Sequence, residues 1–145
     1  MTKIRKYIIL ACTYLTFTSF ALGNDSFFDD ALKMYNEKKY DDAKFLFERN
    51  IVYNPKSADS YLYLAKIYNK KDDKKKEQQN LDTVLLIEPS NEEAILMIMQ
   101  ISLEKSNYSK VQKLSETFEK VCKNLCDEND KIKESLKNIE SKNES

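Results

Sequence analysis

The sequence predicts an all-α fold in which helix hairpins stack one after another as a solenoid. Pro55 and Pro89 lie 34 residues apart, and each closes a block long enough for two helices. A fixed period of this length is typical of two-helix repeats. The chain after Gly23 contains no glycine, and few other residues adopt a positive φ without cost. We therefore expect helices joined by short polar turns, with few turns that need a positive φ.

Residues 1–23 are predicted to be a secretory signal peptide. Three basic residues precede an apolar run from Tyr7 to Leu22, and small residues stand at the end of that run, in Ala21-Leu22-Gly23. This order is typical of export signals, and the run is short and rich in hydroxyl groups for a membrane span. We expect cleavage after Gly23, which gives an exported, periplasmic protein. The alternative is a retained segment that anchors the protein in the inner membrane, facing the periplasm.

A lipoprotein signal is a second alternative for the same segment. Ile9-Leu10-Ala11-Cys12 resembles a bacterial lipobox. Apolar residues continue beyond Cys12, so we interpret this cysteine as part of the signal peptide.

Charge and composition exclude several classes of function. The whole chain carries 24 basic and 24 acidic residues, and the first 23 residues hold three of the basic ones and none of the acidic ones. The remainder has a net charge of −3, which argues against binding to nucleic acid. The chain has no histidine, so neither a Ser–His nor a Cys–His pair is possible. We predict that the protein is not an enzyme and needs no cofactor.

The first hairpin is predicted over about residues 24–57 of a helical domain spanning 24–145. Its first helix runs to about Asn36, and a polar turn over 37–39 leads to a second helix from Tyr40. Ala43, Phe47 and Ile51 recur in that helix at helical spacing. Asn54-Pro55 ends the helix, because a residue before proline is pushed out of the α region.

The second hairpin, about 58–91, repeats this plan. Its first helix has apolar residues at offsets of three, four and seven. The turn is predicted over 69–73, and the second helix ends before Pro89. The apolar positions of the first helix are Tyr61, Leu64, Ala65 and Tyr68.

The third hairpin, about 92–125, is predicted to begin at a capping box in which Ser90 caps the helix and Glu93 bonds back. A final helix over about 129–142 carries a sparse apolar stripe on a charged surface. One apolar face is what the end of a stack of hairpins requires. The stripe consists of Ile132, Leu136 and Ile139.

Aligned on the two prolines, the blocks resemble the tetratricopeptide repeat (TPR) family over nearly the whole chain after residue 23. Small residues fall at the family's helix-contact positions, and aromatic residues stand at the turns before the second helices of the first and third blocks. Three positions depart from the pattern: Lys74 replaces a turn aromatic, Glu77 an alanine and Met99 a small residue. The matching positions are Ala31, Ala43, Ala65, Tyr40 and Tyr108.

The resemblance implies a right-handed α-solenoid of three hairpins with a C-terminal cap, working as a protein-binding scaffold. In TPR proteins the first helix of each hairpin lines a concave groove, and an apolar groove suits a segment of a partner protein. The alternative is that Phe28, Leu32 and Leu62 pack beneath the residues next to the predicted signal peptide or beneath a dimer mate. The groove positions implied here are Phe28, Leu32, Tyr35, Leu62, Lys66, Asn69, Leu96 and Gln100.

The expected partner is another envelope protein or a peptide segment of one. We expect no nucleic-acid partner, membrane contact only if residues 1–23 are retained, and self-association as an open possibility. The alternative function is a membrane-anchored assembly or chaperone accessory factor of an envelope complex.

Cys122 and Cys126 are predicted to form a disulfide, because they are the two cysteines that remain after residue 23, and an even count in an oxidising compartment favours pairing. Residues four apart on a helix have Cβ atoms roughly 5–6 Å apart, and a disulfide requires about 3.5–4.5 Å. The bond therefore requires the sixth helix to distort or end there. Two reduced core cysteines are the main alternative, and a redox or metal role is a further one. We predict no metal site, because two thiolates without histidine cannot complete a tetrahedral zinc site.

Overall fold

The structure, a computed structural model, describes the backbone of residues 26–143 and the side-chain environments of 27–139. The predicted signal peptide lies outside these residues. Within the described range there are seven α-helices and no strand, and none of these helices is long and apolar enough to span a bilayer. The helices are α1 (Ser26–Asn36), α2 (Tyr40–Tyr53), α3 (Ala58–Lys70), α4 (Lys74–Ile87), α5 (Glu92–Glu104), α6 (Tyr108–Val121) and α7 (Cys126–Asn143).

The period that separates the two prolines also sets where the helices begin. The starts of α2, α4 and α6 follow one another at this same interval, and so do the starts of α3, α5 and α7. Helix α7 therefore begins at Cys126, where the first helix of a fourth hairpin would begin. The prediction of a final helix over about 129–142 placed this start too late, because the stripe from Ile132 to Ile139 carries no information about the first turn.

The turns inside the hairpins correct the expectation about positive φ. Lys38, Asp72 and Ser106 have φ values of 61°, 56° and 54°, and they too are spaced by one repeat period. In each turn the following N–H donates to a carbonyl five positions back, at 2.8 to 3.0 Å. This is the 6→1 bond of a Schellman motif, which normally places glycine at the left-handed position. The hydrogen bond offsets the steric cost of a larger residue.

Side-chain caps begin most of the described helices. Asp73 and Asn107 accept the N–H groups of Lys76 and Lys110 at the starts of α4 and α6. The predicted capping box with Ser90 is wrong: Asn91 caps α5, and its Oδ1 accepts the N–H of Ala94 at 3.0 Å. Asn91 stands one repeat period after Ser57, the cap of α3, so the repeat decides between two adjacent capping residues.

The described part of the chain forms two compact units, and the first, up to Asn54, contains α1 and α2. Ala31 and Ala43 are fully buried in it together with Phe47. Small residues on both helices let the backbones approach closely while one aromatic ring fills the remaining space. This agrees with the small-residue positions predicted from the repeat pattern.

The second unit, from Pro55 onward, contains α3 to α7 packed in chain order, and α7 also contacts α5. One buried cluster joins the second and third hairpins: Ala58, Leu62, Ala65, Leu81, Val84, Ala94, Ile98 and Ile101. Another lies between α5 and α6 and is covered by Ile132 and Leu136 of α7: Ile95, Met99, Val111 and Phe118. Met99 is thus accommodated as a core residue. Helices α3, α5 and α7 form one row, here called the first-helix row, and α4 and α6 the second-helix row.

Candidate partner-binding surface

In the first unit the three predicted groove residues are half-buried and lie along α1. The ring of Phe28 packs 5.7 Å from the ring of Phe47, and Tyr35 meets Tyr40 edge-on at 5.5 Å. The prediction set Phe28 and Tyr35 apart from the structural aromatics, but each has a contact inside its own hairpin. Leu32 lies between them on the helix. All three keep part of their surface exposed.

In the second unit Leu62 is a core residue. It is 6% exposed and belongs to the cluster that joins the second and third hairpins. The cluster combines residues of α3, α4 and α5, and Leu62 packs among them. Leu62 is thus mostly buried, and the small part of it that stays exposed lines a cleft of about 790 Å³ with Asp59 and Glu93.

Lys66 and Asn69 have partners within the protein. Lys66 Nζ lies 2.8 Å from Glu93 Oε1 on α5 and 4.6 Å from the centre of the Tyr63 ring. The amide of Asn69 donates to Glu77 Oε1 at 2.8 Å. The Lys66–Glu93 pair joins adjacent helices of the first-helix row.

Leu96 and Gln100 lie together on α5, at the edge of the row. Leu96 is half-buried and Gln100 is exposed. With Leu103 they line one wall of a cleft of about 250 Å³, and the facing wall comes from α7, including Lys131 and Ile132. Two other predicted groove residues of the second unit also keep contact with open space: Asn69 is exposed, and Leu62 lines the separate cleft of about 790 Å³.

Glu77 is a buried carboxylate at the position where the TPR pattern has alanine. It is 1% exposed, and its Oε2 lies 3.4 Å from Lys74 Nζ with no hydrogen bond from the described residues. Lys74 also reaches Glu104 Oε2 on α5 at 3.0 Å. Burial lowers the pKa of Lys74, but the hydrogen bond to Glu104 and the charges of both carboxylates raise it overall above its usual value. Lys74 and Glu77, the two residues of α4 that depart from the TPR pattern, thus form one ion pair at i,i+3 spacing.

Glu92, the first residue of α5, binds the loop that connects α6 to α7. Its carboxylate accepts the N–H groups of Lys123, Asn124 and Leu125 at 2.9, 3.0 and 2.8 Å. The bond from Asn124, followed by those from Leu125 and Lys123, holds the pKa of Glu92 below its usual value. No local sequence pattern predicts this contact, because Glu92 and the loop it binds lie almost a whole repeat apart in the sequence.

The same loop carries the predicted disulfide. Helix α6 ends at Val121, Cys122 is its extended C-cap, and Cys126 begins α7. The Cα atoms of the two cysteines are 5.4 Å apart and their sulfur atoms are at bonding distance. The end of the helix provides the distortion that the spacing of four requires. Among the side chains of residues 27–139 there is no group of three potential metal ligands.

No protein-family model matches the chain, and no curated protein matches it either.

Solved structures do match. The type III secretion chaperone SycD of Yersinia enterocolitica, in complex with a peptide of the translocator YopD, superposes with a TM-score of 0.70 at 13% identity, over 82% of this chain and 93% of that one. The Sgt2 TPR domain of Aspergillus fumigatus gives 0.68 at 14% identity, over 86% and 84%. The CopN–Scc3 complex gives 0.64 at 12% identity, over 86% and 72%. At such identities the likeness concerns the fold. The chain has the all-α helix-hairpin fold of TPR proteins.

Proposed function

We propose that this protein is a non-enzymatic interaction scaffold of the bacterial envelope that holds a segment of another envelope protein against its first helices. The observation that carries this proposal is the cleft between α5 and α7 on the first-helix row. Its lining combines apolar side chains, Leu96, Leu103 and Ile132, with polar ones such as Gln100 and Lys131. Such a surface suits an apolar side chain presented by an extended or helical segment.

The structural neighbours support a protein as the partner. SycD was crystallised with a peptide of YopD, and another neighbour is a complex of CopN with Scc3. The absence of histidine from the sequence supports a binding function over a catalytic one.

The envelope setting rests on the basic, apolar segment before residue 24. The alternative, a membrane-anchored assembly or chaperone accessory factor, keeps that segment. Mass spectrometry of protein isolated from its native cell separates the two. An N-terminus at Asn24 supports the scaffold, and an intact N-terminus supports the anchored factor.

The binding surface is tested by co-purification of partners from native envelopes. We expect Gln100→Trp to reduce partner recovery, because the larger ring fills the mouth of the cleft. The matched control is Gln79→Trp, on an exposed position of α4 in the second-helix row, which leaves recovery unchanged. Equal recovery with both variants contradicts the assignment.

A companion variant tests the first unit. Phe28→Ala with Tyr35→Ala is expected to abolish co-purification and to leave helicity intact. Because Phe28 also packs against Phe47, circular dichroism accompanies the assay. Unchanged recovery from a folded double variant would refute the role of α1.

A further inference from the structure

We propose that Glu92 and the Cys122–Cys126 loop form a redox-controlled clasp that holds the start of α7 against α5. The clasp thereby regulates the cleft at Leu96 and Gln100, a consequence that rests on the proposed function. Its moving part is the short loop between the cysteines.

The loop is ordered from two sides. The disulfide joins Cys122, the C-cap of α6, to Cys126, the first residue of α7, and their Cα atoms are 5.4 Å apart. Between the cysteines, three successive N–H groups converge on the carboxylate of Glu92 at 2.8 to 3.0 Å. Successive N–H groups that point at one anion form a nest. Here the anion belongs to α5, so the nest ties α5 to the connection between α6 and α7.

These features replace the helix ending of the earlier hairpins. Cys122 and Lys123 stand one repeat period after Glu88 and Pro89, which in turn follow Asn54 and Pro55 by the same interval. Proline has no N–H to donate, whereas Lys123 supplies the first bond to Glu92. The position one period before Glu92 is Ala58. The third hairpin therefore has three features that the earlier hairpins lack: the cysteine at position 122, the N–H group of Lys123 and the carboxylate of Glu92.

Other polar contacts of α7 lead to α6. Ser115 Oγ donates to Asn129 Oδ1 at 2.8 Å, and Lys133 pairs with Glu119. The clasp is a polar connection between α5 and the loop that leads into α7. Since α7 forms one wall of the cleft that Leu96 and Gln100 line, loosening this connection changes the width of the cleft.

The disulfide and the Glu92 bonds stabilise each other because they order the same residues. A closed loop has fewer conformations, so less entropy is lost when its N–H groups converge on the carboxylate. After reduction the loop regains that freedom and the bonds to Glu92 become weaker.

The reductant is a dithiol, as in thioredoxin-type proteins. One of its thiolates attacks a sulfur of the Cys122–Cys126 bond, forms a mixed disulfide and releases the other cysteine as a thiolate, which takes up a proton. The second thiol of the reductant then displaces the remaining cysteine. Two electrons and two protons pass from the dithiol, which leaves as a disulfide, to the pair of cysteines.

The clasp is tested by hydrogen exchange of the full chain, with α7 compared between the oxidised protein and protein reduced by dithiothreitol. We expect exchange in the first turns of α7 to become about tenfold faster on reduction, through local opening, with exchange in α3 unchanged. Glu92→Gln in the oxidised protein produces the same local effect. Glu93→Gln, on the adjacent residue that pairs with Lys66, leaves α7 protected.

The double comparison decides between a clasp and two independent contacts. In Glu92→Gln, reduction accelerates α7 exchange less than in the wild type, because the two elements are coupled. Fully additive effects, or α7 exchange that does not depend on redox state, would overturn the proposal. No partner protein enters this assay, so its failure is distinct from failure of the proposed function. A crosslinking residue at position 100 then tests the link to binding. Its yield of partner adduct is compared between the oxidised and the reduced protein.

Discussion

At the level of single residues, the repeat is clearest in the turns inside the hairpins, where the same backbone conformation recurs. Lys38, Asp72 and Ser106 hold the same left-handed conformation in three successive hairpins, although none is glycine. Composition alone argued against such turns, because the chain beyond Gly23 has no glycine. The backbone hydrogen bond that closes each turn outweighs the local cost, and that bond depends on the whole hairpin.

We expect Ser106→Gly to raise the free energy of unfolding by about 0.5–1 kcal/mol, because the left-handed conformation costs a residue with a side chain about 1–2 kcal/mol and the greater freedom of glycine in the unfolded chain returns part of the gain. Urea denaturation measures the change. The neighbouring Lys105 has a negative φ of −88°, so Lys105→Gly serves as the control and destabilises. Destabilisation by both substitutions would contradict the assigned turn.

Glu92 makes the stability of the protein depend on pH, and the direction of its pKa shift decides whether stability rises or falls. Its pKa is lowered in the folded state by the three N–H groups, with a smaller effect from the charge of Lys123. Its contribution to stability is therefore complete above the unfolded carboxyl pKa and is lost as the pH falls through the folded value. We expect Glu92→Gln to be less stable than the wild type at neutral pH, with the difference shrinking under acidic conditions below the usual glutamate range.

Denaturation of both proteins over a series of pH values checks this expectation. Glu93→Gln is the control, since Glu93 lies next in the chain and pairs with Lys66 instead. A stability difference between the wild type and Glu92→Gln that stays constant from neutral to acidic pH would show that the carboxylate charge is not what the loop recognises.

Among the helices, α4 departs furthest from the repeat pattern. The sequence identified Lys74 and Glu77 as departures but could not show what they do, because their partners come from α3 and α5. Asn69 and Lys74 accommodate the buried carboxylate, and Glu104 joins Lys74 to the next hairpin. Lys74, which departs from the TPR pattern, thus connects the second hairpin to the third.

We expect Lys74→Ala to lower the free energy of unfolding by about 2 kcal/mol, because it leaves the charge of Glu77 buried without its cation. Adding Glu77→Ala, which restores the alanine of the repeat pattern, recovers most of the loss. The exposed neighbour Lys75 supplies the control, Lys75→Ala, with little effect. If the double variant is less stable than Lys74→Ala in chemical denaturation, the pairing is not the cause.

Helix boundaries followed from the sequence wherever a repeated signal marked them. The period located the starts of α2 to α6 closely, and the small residues at Ala31, Ala43 and Ala65 proved fully buried. Helix α7 was misplaced because its first turn has no proline or apolar marker. The carboxylate that binds the preceding loop lies in a distant part of the chain, so local patterns could not reveal it.

For the molecule as a whole, the period predicts the fold but not the open surface. Leu62 matched a groove position, yet most of its surface is buried in the cluster that joins the second and third hairpins. Lys66 and Asn69 matched too, and each contacts a carboxylate on another helix. Leu96 and Gln100 remain at a cleft because α7 covers the end of the row incompletely. Which positions stay accessible depends on packing between hairpins, which a single repeat does not specify.

Site-specific photo-crosslinking in the native envelope tests the central claim, that the first-helix row binds a partner protein. A crosslinking residue at Gln100 is compared with one at Leu86, which is 83% exposed on α4 of the second-helix row, and adducts are identified by mass spectrometry. We predict a discrete protein adduct from position 100 and none from position 86. An adduct from position 86 alone, or equal adducts from both positions, would contradict the account.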